Sequence, residues 1–184
     1  MIELFLVRHG EAAQAWGQHE DPELSSLGCS QARQAAVAVD AAAPKELVLV
    51  SSPKVRAQQT AEPLAELRSA PVVVQPAFRE VPSMTDLATR QAWLQNLMRS
   101  HWSEINDAAV LEWRAQILSN VAAIGHHTAV FTHFMVLNVI VGHIRGCDKV
   151  LQFWPDNASV TRCRVIDSEL VLVSLGAQMD TQIN

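Results

Sequence analysis

The chain has 184 residues, 49% of them apolar and 18% charged, with a formal net charge of −5. This length predicts a single domain over residues 1–184, able to bury roughly 70% of its unfolded surface without a disulfide or metal staple. The composition excludes a disordered chain. A mildly acidic chain with no Lys/Arg run is also a poor partner for nucleic acid or an acidic membrane, so any anion affinity must come from a local cluster.

Residues 2–7 are a short apolar run that reads as a buried strand, and the polar, Gly- and Pro-containing stretch 8–24 reads as a loop. From 26 to 42, Gly28, Ala32, Ala35, Ala36 and Val39 recur at helical spacing, with Ser25 or Ser26 as N-cap and Pro44 as the stop. Small residues on that face let a helix sit close to a sheet. Residues 47–50 read as a second buried strand. Ser51-Ser52-Pro53 then reads as an N-cap followed by Pro at the first helical position, opening a helix toward Leu67 that Pro63 should kink or divide. Residues 72–74 are a third strand between Pro71 and Pro76.

Residues 86–100 and 107–124 are expected to be helical and form an insert at about 81–125. In the second helix Val110, Ile117, Leu118, Val121 and Ile124 share a face, Asp107 caps the start and Gly125 ends it. Trp93, Trp102 and Trp113 on this insert read as core packing, with a lid against an apolar leaving group as the alternative. Residues 128–132 form a fourth strand, 134–144 an apolar helix holding a satisfied buried Asn138, and 158–166 and 170–175 a hairpin turning at Asp167-Ser168. Strands alternating with helices predict an α/β fold, a three-layer α/β/α sandwich around a mainly parallel sheet.

The three cysteines, Cys29, Cys147 and Cys163, form no C-x-x-C and read as reduced, mostly buried thiols of a cytoplasmic protein. The run at 2–7 is too short and charged for a signal segment. The longest apolar stretch, 129–141, is broken by Thr132, His133 and Asn138 and is shorter than a membrane span, so no membrane partner is expected.

In parallel α/β sheets ligands bind beyond the carboxyl ends of the strands. Four segments end there: Arg8-His9-Gly10-Glu11, Ser51-Ser52-Pro53 with Arg56 shortly after, Thr132-His133, and Arg79-Glu80 beyond the third strand. Converging Arg and His groups beside helix N-termini make an anion site, and the planar Arg fork suits phosphoryl oxygens; taken singly, Arg8 or Arg56 reads more simply as a structural ion-pair residue. His126 and His127, ahead of the fourth strand, read as loop residues, and His19, His101 and His143 lack ligand spacing, so neither a metal nor another cofactor is expected.

These residues resemble a known family. Leu6-Val7-Arg8-His9-Gly10-Glu11-Ala12 resembles the R-H-G signature of the histidine phosphatase superfamily, which includes cofactor-dependent phosphoglycerate mutase. Ser51-Ser52-Pro53-Lys54-Val55-Arg56-Ala57-Gln58-Gln59-Thr60-Ala61 resembles its second block. Leu24-Ser25-Ser26-Leu27-Gly28 with Gln31-Ala32, then Thr132-His133, then Asn157-Ala158-Ser159-Val160-Thr161 follow in the family's order.

The resemblance implies a phosphoglycerate mutase-like fold in which His9 is the nucleophile that becomes phosphorylated, Arg8, Arg56 and His133 surround the phosphoryl oxygens, and Glu80 gives a proton to the leaving oxygen. Glu11 and Asp86 are rival acids. The implied activity is a metal-independent phosphomonoester hydrolase acting on a small phosphate ester. A phosphoglycerate-type mutase, a phosphohistidine-protein phosphatase and a non-catalytic phosphate-binding member are the alternatives. Ala12 and Ala15 stand where mutases carry Ser or Thr and Asn, Phe134 replaces the usual Gly after the second histidine, and the chain is short, all of which favours the phosphatase. Oligomeric state stays open, a homodimer included.

Overall fold

In a computed structural model of the chain, residues 1–14, 20–82 and 89–179 are described. Six strands form one sheet in the order β3-β2-β4-β1-β5-β6. The strands are β1 (Ile2–Arg8), β2 (Val48–Ser51), β3 (Val72–Val74), β4 (Thr128–Thr132), β5 (Val160–Ile166) and β6 (Glu169–Ser174). β3, β2, β4 and β1 run parallel; β5 and β6 join antiparallel on the far side of β1. The sheet is mixed but mostly parallel, as expected. Asp167 and Ser168 both take positive φ, 50° and 69°, which is the twist a two-residue hairpin turn requires.

Alternation along β1 divides the core. Phe5 and Val7 pack with Ala35, Ala36 and Val39 of α1 (Ser26–Ala42) and Ala61 and Leu64 of α2 (Val55–Arg68). Leu4 and Leu6 face the other layer, with α4 (Ala108–Ala122) and α5 (Phe134–Arg145). Because helices cover both faces, the central strands read as continuous apolar runs. Trp102 and Trp113 are buried in this second layer, which also carries α3 (Arg90–Arg99). Asn138 of α5 is fully buried and satisfied: its Oδ1 accepts from the N–H groups of Gln152 and Phe153 at 2.7 and 3.0 Å.

Several local expectations shift. Ser25 is the α1 N-cap, its Oγ accepting from Gly28 N at 3.0 Å. Pro53 lies outside α2, which starts at Val55 with no side-chain cap from Lys54. Ser52 Oγ instead faces His133, and Asp21 Oδ1 accepts from Val55 N at 3.1 Å. Pro63 does not divide α2; buried Ala57, Thr60, Ala61 and Leu64 hold the helix through it. α4 ends at Ala122 with Ala123 as its C-cap, ahead of Gly125. Only Cys163 is buried, and burial pushes its thiol up to about 12; Cys29 and Cys147 are partly exposed. Among the described residues, no helix is long and apolar enough to cross a membrane.

Candidate active site

The parallel strands deliver the site. Arg8 of β1 pairs with Thr132 of β4, and Ser51 of β2 with Phe131. The ladder runs one residue past each end: His9 N donates to Thr132 O and Ser52 N to Phe131 O, each at 2.9 Å. His9, Ser52 and His133 therefore leave adjacent central strands at their carboxyl ends, and the first turn of α2 adds Arg56.

These groups form a tight buried cluster. Arg56 Nε donates to His9 Nε2 at 3.1 Å, and Arg56 Nη2 lies 3.3 Å from His133 Nδ1. His133 Nε2 lies 2.7 Å from Ser52 Oγ, and the two imidazoles meet edge to face at 5.2 Å. His9 Nδ1 is 2.7 Å from Gly10 O. A carbonyl only accepts, so Nδ1 carries the proton and Nε2 presents its lone pair to the Arg56 side. Burial, reinforced by the Arg56 and Arg8 charges, holds the His9 imidazole well below the usual range; His133 is depressed by burial and by Arg56. Both rings are neutral near pH 7, and a neutral imidazole with a bare nitrogen is a nucleophile.

The scaffold around the cluster is steric as well as polar. A Cβ on Gly10 would lie 2.6 Å from Gly28 O, and one on Gly28 would lie 2.0 Å from Glu11 O. The start of α1 thus presses on the His9 turn, and only glycine fits at both positions. Thr60 Oγ1 accepts from Gly10 N at 3.0 Å and donates to Arg56 O at 2.7 Å, joining that turn to α2. Arg56 Nη1 sits 3.6 Å from Asp21 Oδ1.

Arg8 Nη1 donates to Pro155 O at 2.8 Å, and its guanidinium lies 5.4 Å from the Phe134 ring centroid. Its Nε is buried without a hydrogen-bond partner among the described residues. Burial lowers the Arg8 pKa to about 10, so it stays charged at neutral pH.

Glu80 lines the same crevice as Arg8, His9 and Arg56. Thr132 Oγ1 donates to Phe78 O and Trp113 Nε1 to Arg79 O, anchoring the segment that carries it. Val81 N donates to Glu80 Oε1 at 2.9 Å. Desolvation raises the Glu80 carboxyl above its ordinary value, against the pull of the Val81 and Met135 N–H groups and of Arg56 and Arg8. Glu11, the rival acid, is turned away: its Oε1 accepts from Ser25 Oγ at 2.7 Å at the start of α1. Asp86, Ala15 and His19 lie outside the described residues.

The sequence brought together here comprises Arg8, His9, Arg56, Glu80 and His133, all five expected at the site. Arg79, carried by one of the expected strand-end segments, lines the crevice too, whereas nothing in the sequence pointed to Asp21 as an Arg56 partner or to Lys54, Arg90, Trp154 and Met179 as crevice residues. Ser52 and Thr60 lay inside a quoted motif, yet their contacts span 81 and 50 positions. Among the described residues no three His, Cys, Asp or Glu side chains are grouped to hold a metal ion.

Comparison with known proteins agrees with this fold. A family model described as histidine phosphatase superfamily (branch 1) matches residues 4–178. A mycobacterial glucosyl-3-phosphoglycerate phosphatase, seen with VO3, superposes with a TM-score of 0.74 at 21% identity, over 97% of this chain and 100% of the other. A phosphoserine phosphatase from Entamoeba histolytica gives 0.74 at 17% identity, over 97% and 98%. The α-ribazole phosphatase from Shigella flexneri gives 0.75 at 18% identity, over 98% and 100%. At these identities the likeness is one of fold. No curated protein matches the chain significantly in sequence.

Proposed function

The chain belongs to the histidine phosphatase superfamily, and on that footing we propose that it is a metal-independent phosphomonoester hydrolase working through a phosphohistidine on His9. The observation that carries this reading is the His9 ring: Nδ1 is tied to Gly10 O, and Nε2 faces Arg56 inside a cationic pocket. The phosphatase names of the similar structures support the same reaction class.

In the first step Nε2 bonds to phosphorus and the ester P–O bond breaks. The Arg56 Nε–H bond passes from Nε2 to a phosphoryl oxygen. Arg8 and Arg56 face the charge that builds on the equatorial oxygens, His133 holds Arg56 from behind through Nδ1, and fixed donors need no reorganisation to meet that charge. The two guanidinium groups supply positive charge directly at the phosphoryl group. Glu80, whose raised pKa favours the acid form, gives its proton to the leaving alkoxide. The resulting carboxylate then takes a proton from water, which attacks phosphorus as the N–P bond breaks. Inorganic phosphate leaves, and His9 and Glu80 return to their starting forms.

The test is phosphate release from an aryl phosphate by wild type and His9→Ala. The variant should release none above background, and a retained rate would reject the assignment.

A further inference from the structure

The crevice extends well past the phosphoryl nest, to a volume of about 540 Å³. One part of its lining is apolar: Val81, Leu94, Met98, Phe134, Trp154 and Met179. Leu94 and Met98 stand four residues apart, which puts them on one face of α3, while Leu97 of the same helix is buried in the core. Phe134 and Trp154 pack edge to face with ring centroids 5.4 Å apart. Phe134 directly follows His133, so this wall begins where the phosphoryl nest ends. Ala12, in the position where mutases carry a hydroxyl, also lines the crevice without a polar side-chain atom.

We infer that the substrate of the His9 site is a phosphate monoester of an apolar, chain- or ring-bearing alcohol, its leaving group lying against Leu94, Met98, Phe134 and Trp154. This rests on the phosphomonoesterase reading and deepens it. Gln14, Glu20 and Asn157 line the same crevice and can serve a polar group of the substrate, but a hydroxyl or ammonium set against Leu94, Met98 and Phe134 meets apolar side chains only and is costly to desolvate there. An apolar alcohol loses nothing there and gains the burial of each methylene. Lys54, Arg79 and Arg90 also line the crevice and attract the incoming dianion.

The test is kcat/KM for ethyl, butyl and hexyl phosphate. Their leaving alcohols have nearly the same acidity, so differences report binding of the chain. The expected rise is about two- to fourfold per methylene until the wall is covered. Leu94→Ala/Met98→Ala should reduce the hexyl-to-ethyl ratio about tenfold. A flat series, a ratio unaltered in the variant, or a preference for glycerol phosphate or a sugar bisphosphate over hexyl phosphate would overturn the inference.

Competitive inhibition of wild type by ethyl- and hexylphosphonate gives a readout that needs no variant to fold. Hexylphosphonate should bind at least tenfold more tightly, and equal binding would overturn the proposal. Failure to release phosphate from any ester would instead strike the phosphomonoesterase reading. In that case phosphonate binding, followed by calorimetry, still decides whether the wall is an apolar subsite.

Discussion

Arg56 Nε donates to His9 Nε2 at 3.1 Å, so the guanidinium rests on the imidazole nitrogen opposite the one tied to Gly10 O. The same group reaches His133 Nδ1 through Nη2 and Asp21 through Nη1. Three atoms of one planar fork thereby fix two rings and a loop. Lysine carries the charge but offers a single ammonium. Arg56→Lys is therefore expected to lower kcat about 10²-fold, in line with the loss of a fixed oxyanion donor. Steady-state kinetics on an aryl phosphate check this, and a loss smaller than threefold would show that charge alone suffices.

Glu80 is assigned the proton for the leaving oxygen, and that role depends on the leaving group. p-Nitrophenolate departs without a proton, whereas an alkoxide does not. Glu80→Gln should lower kcat/KM for an alkyl phosphate by about 10²-fold or more, and for p-nitrophenyl phosphate far less. In wild type, kcat/KM for the alkyl ester should decline as pH rises through the elevated Glu80 pKa, because the acid form is then lost. The variant should lack that limb. Equal losses on both esters would remove Glu80 from the acid role.

Buried neutral histidines also link stability to pH. His9 and His133 are depressed in the folded chain, so below pH 6.5 the unfolded chain binds protons that the folded one resists. Their contribution is complete above pH 6.5 and is lost as pH falls below it. Each group loses up to about 1.4 kcal/mol per pH unit. Melting temperature should be level near pH 7–8 on their account and drop below 6.5. A His9→Asn/His133→Asn double variant should show a shallower drop, and an identical slope would contradict the neutral, buried assignment.

Gly10 tests whether the R-H-G glycine is chosen for shape. It contributes no side-chain chemistry, yet a Cβ there would sit 2.6 Å from the Gly28 carbonyl. Gly10→Ala should displace the His9 turn, lowering both activity and melting temperature, the first by about tenfold or more. Wild-type kinetics and melting in this variant would show that the close approach is dispensable.

What was legible in the sequence was local. The Ala face of α1 matched its buried positions residue for residue, because a helix against a sheet needs small side chains at that spacing. The apolar runs of β1 and β4 announced doubly covered strands, and the strand-end rule then placed Arg8, His9 and His133 together. What escaped was long-range. Ser52 looks like a helix cap in its own neighbourhood, but His133 engages its hydroxyl from 81 residues away. The same oxygen still accepts from Lys54 N at 3.2 Å, while the Val55 N–H at the start of α2 goes to Asp21. Nothing near Asp21 in the chain signals that partner. The apolar wall likewise assembles from α3, the start of α5 and three loop segments, and none of these reads as a site alone.

The most direct measurement is rapid acid-free quenching of wild type mixed with a phosphate ester, followed by mapping of any enzyme-bound phosphoryl group. The expected result is an acid-labile, base-stable phosphoryl group on His9, formed within the first turnover and missing in His9→Ala. Phosphate released at full rate with no phosphoryl group on His9 would contradict it.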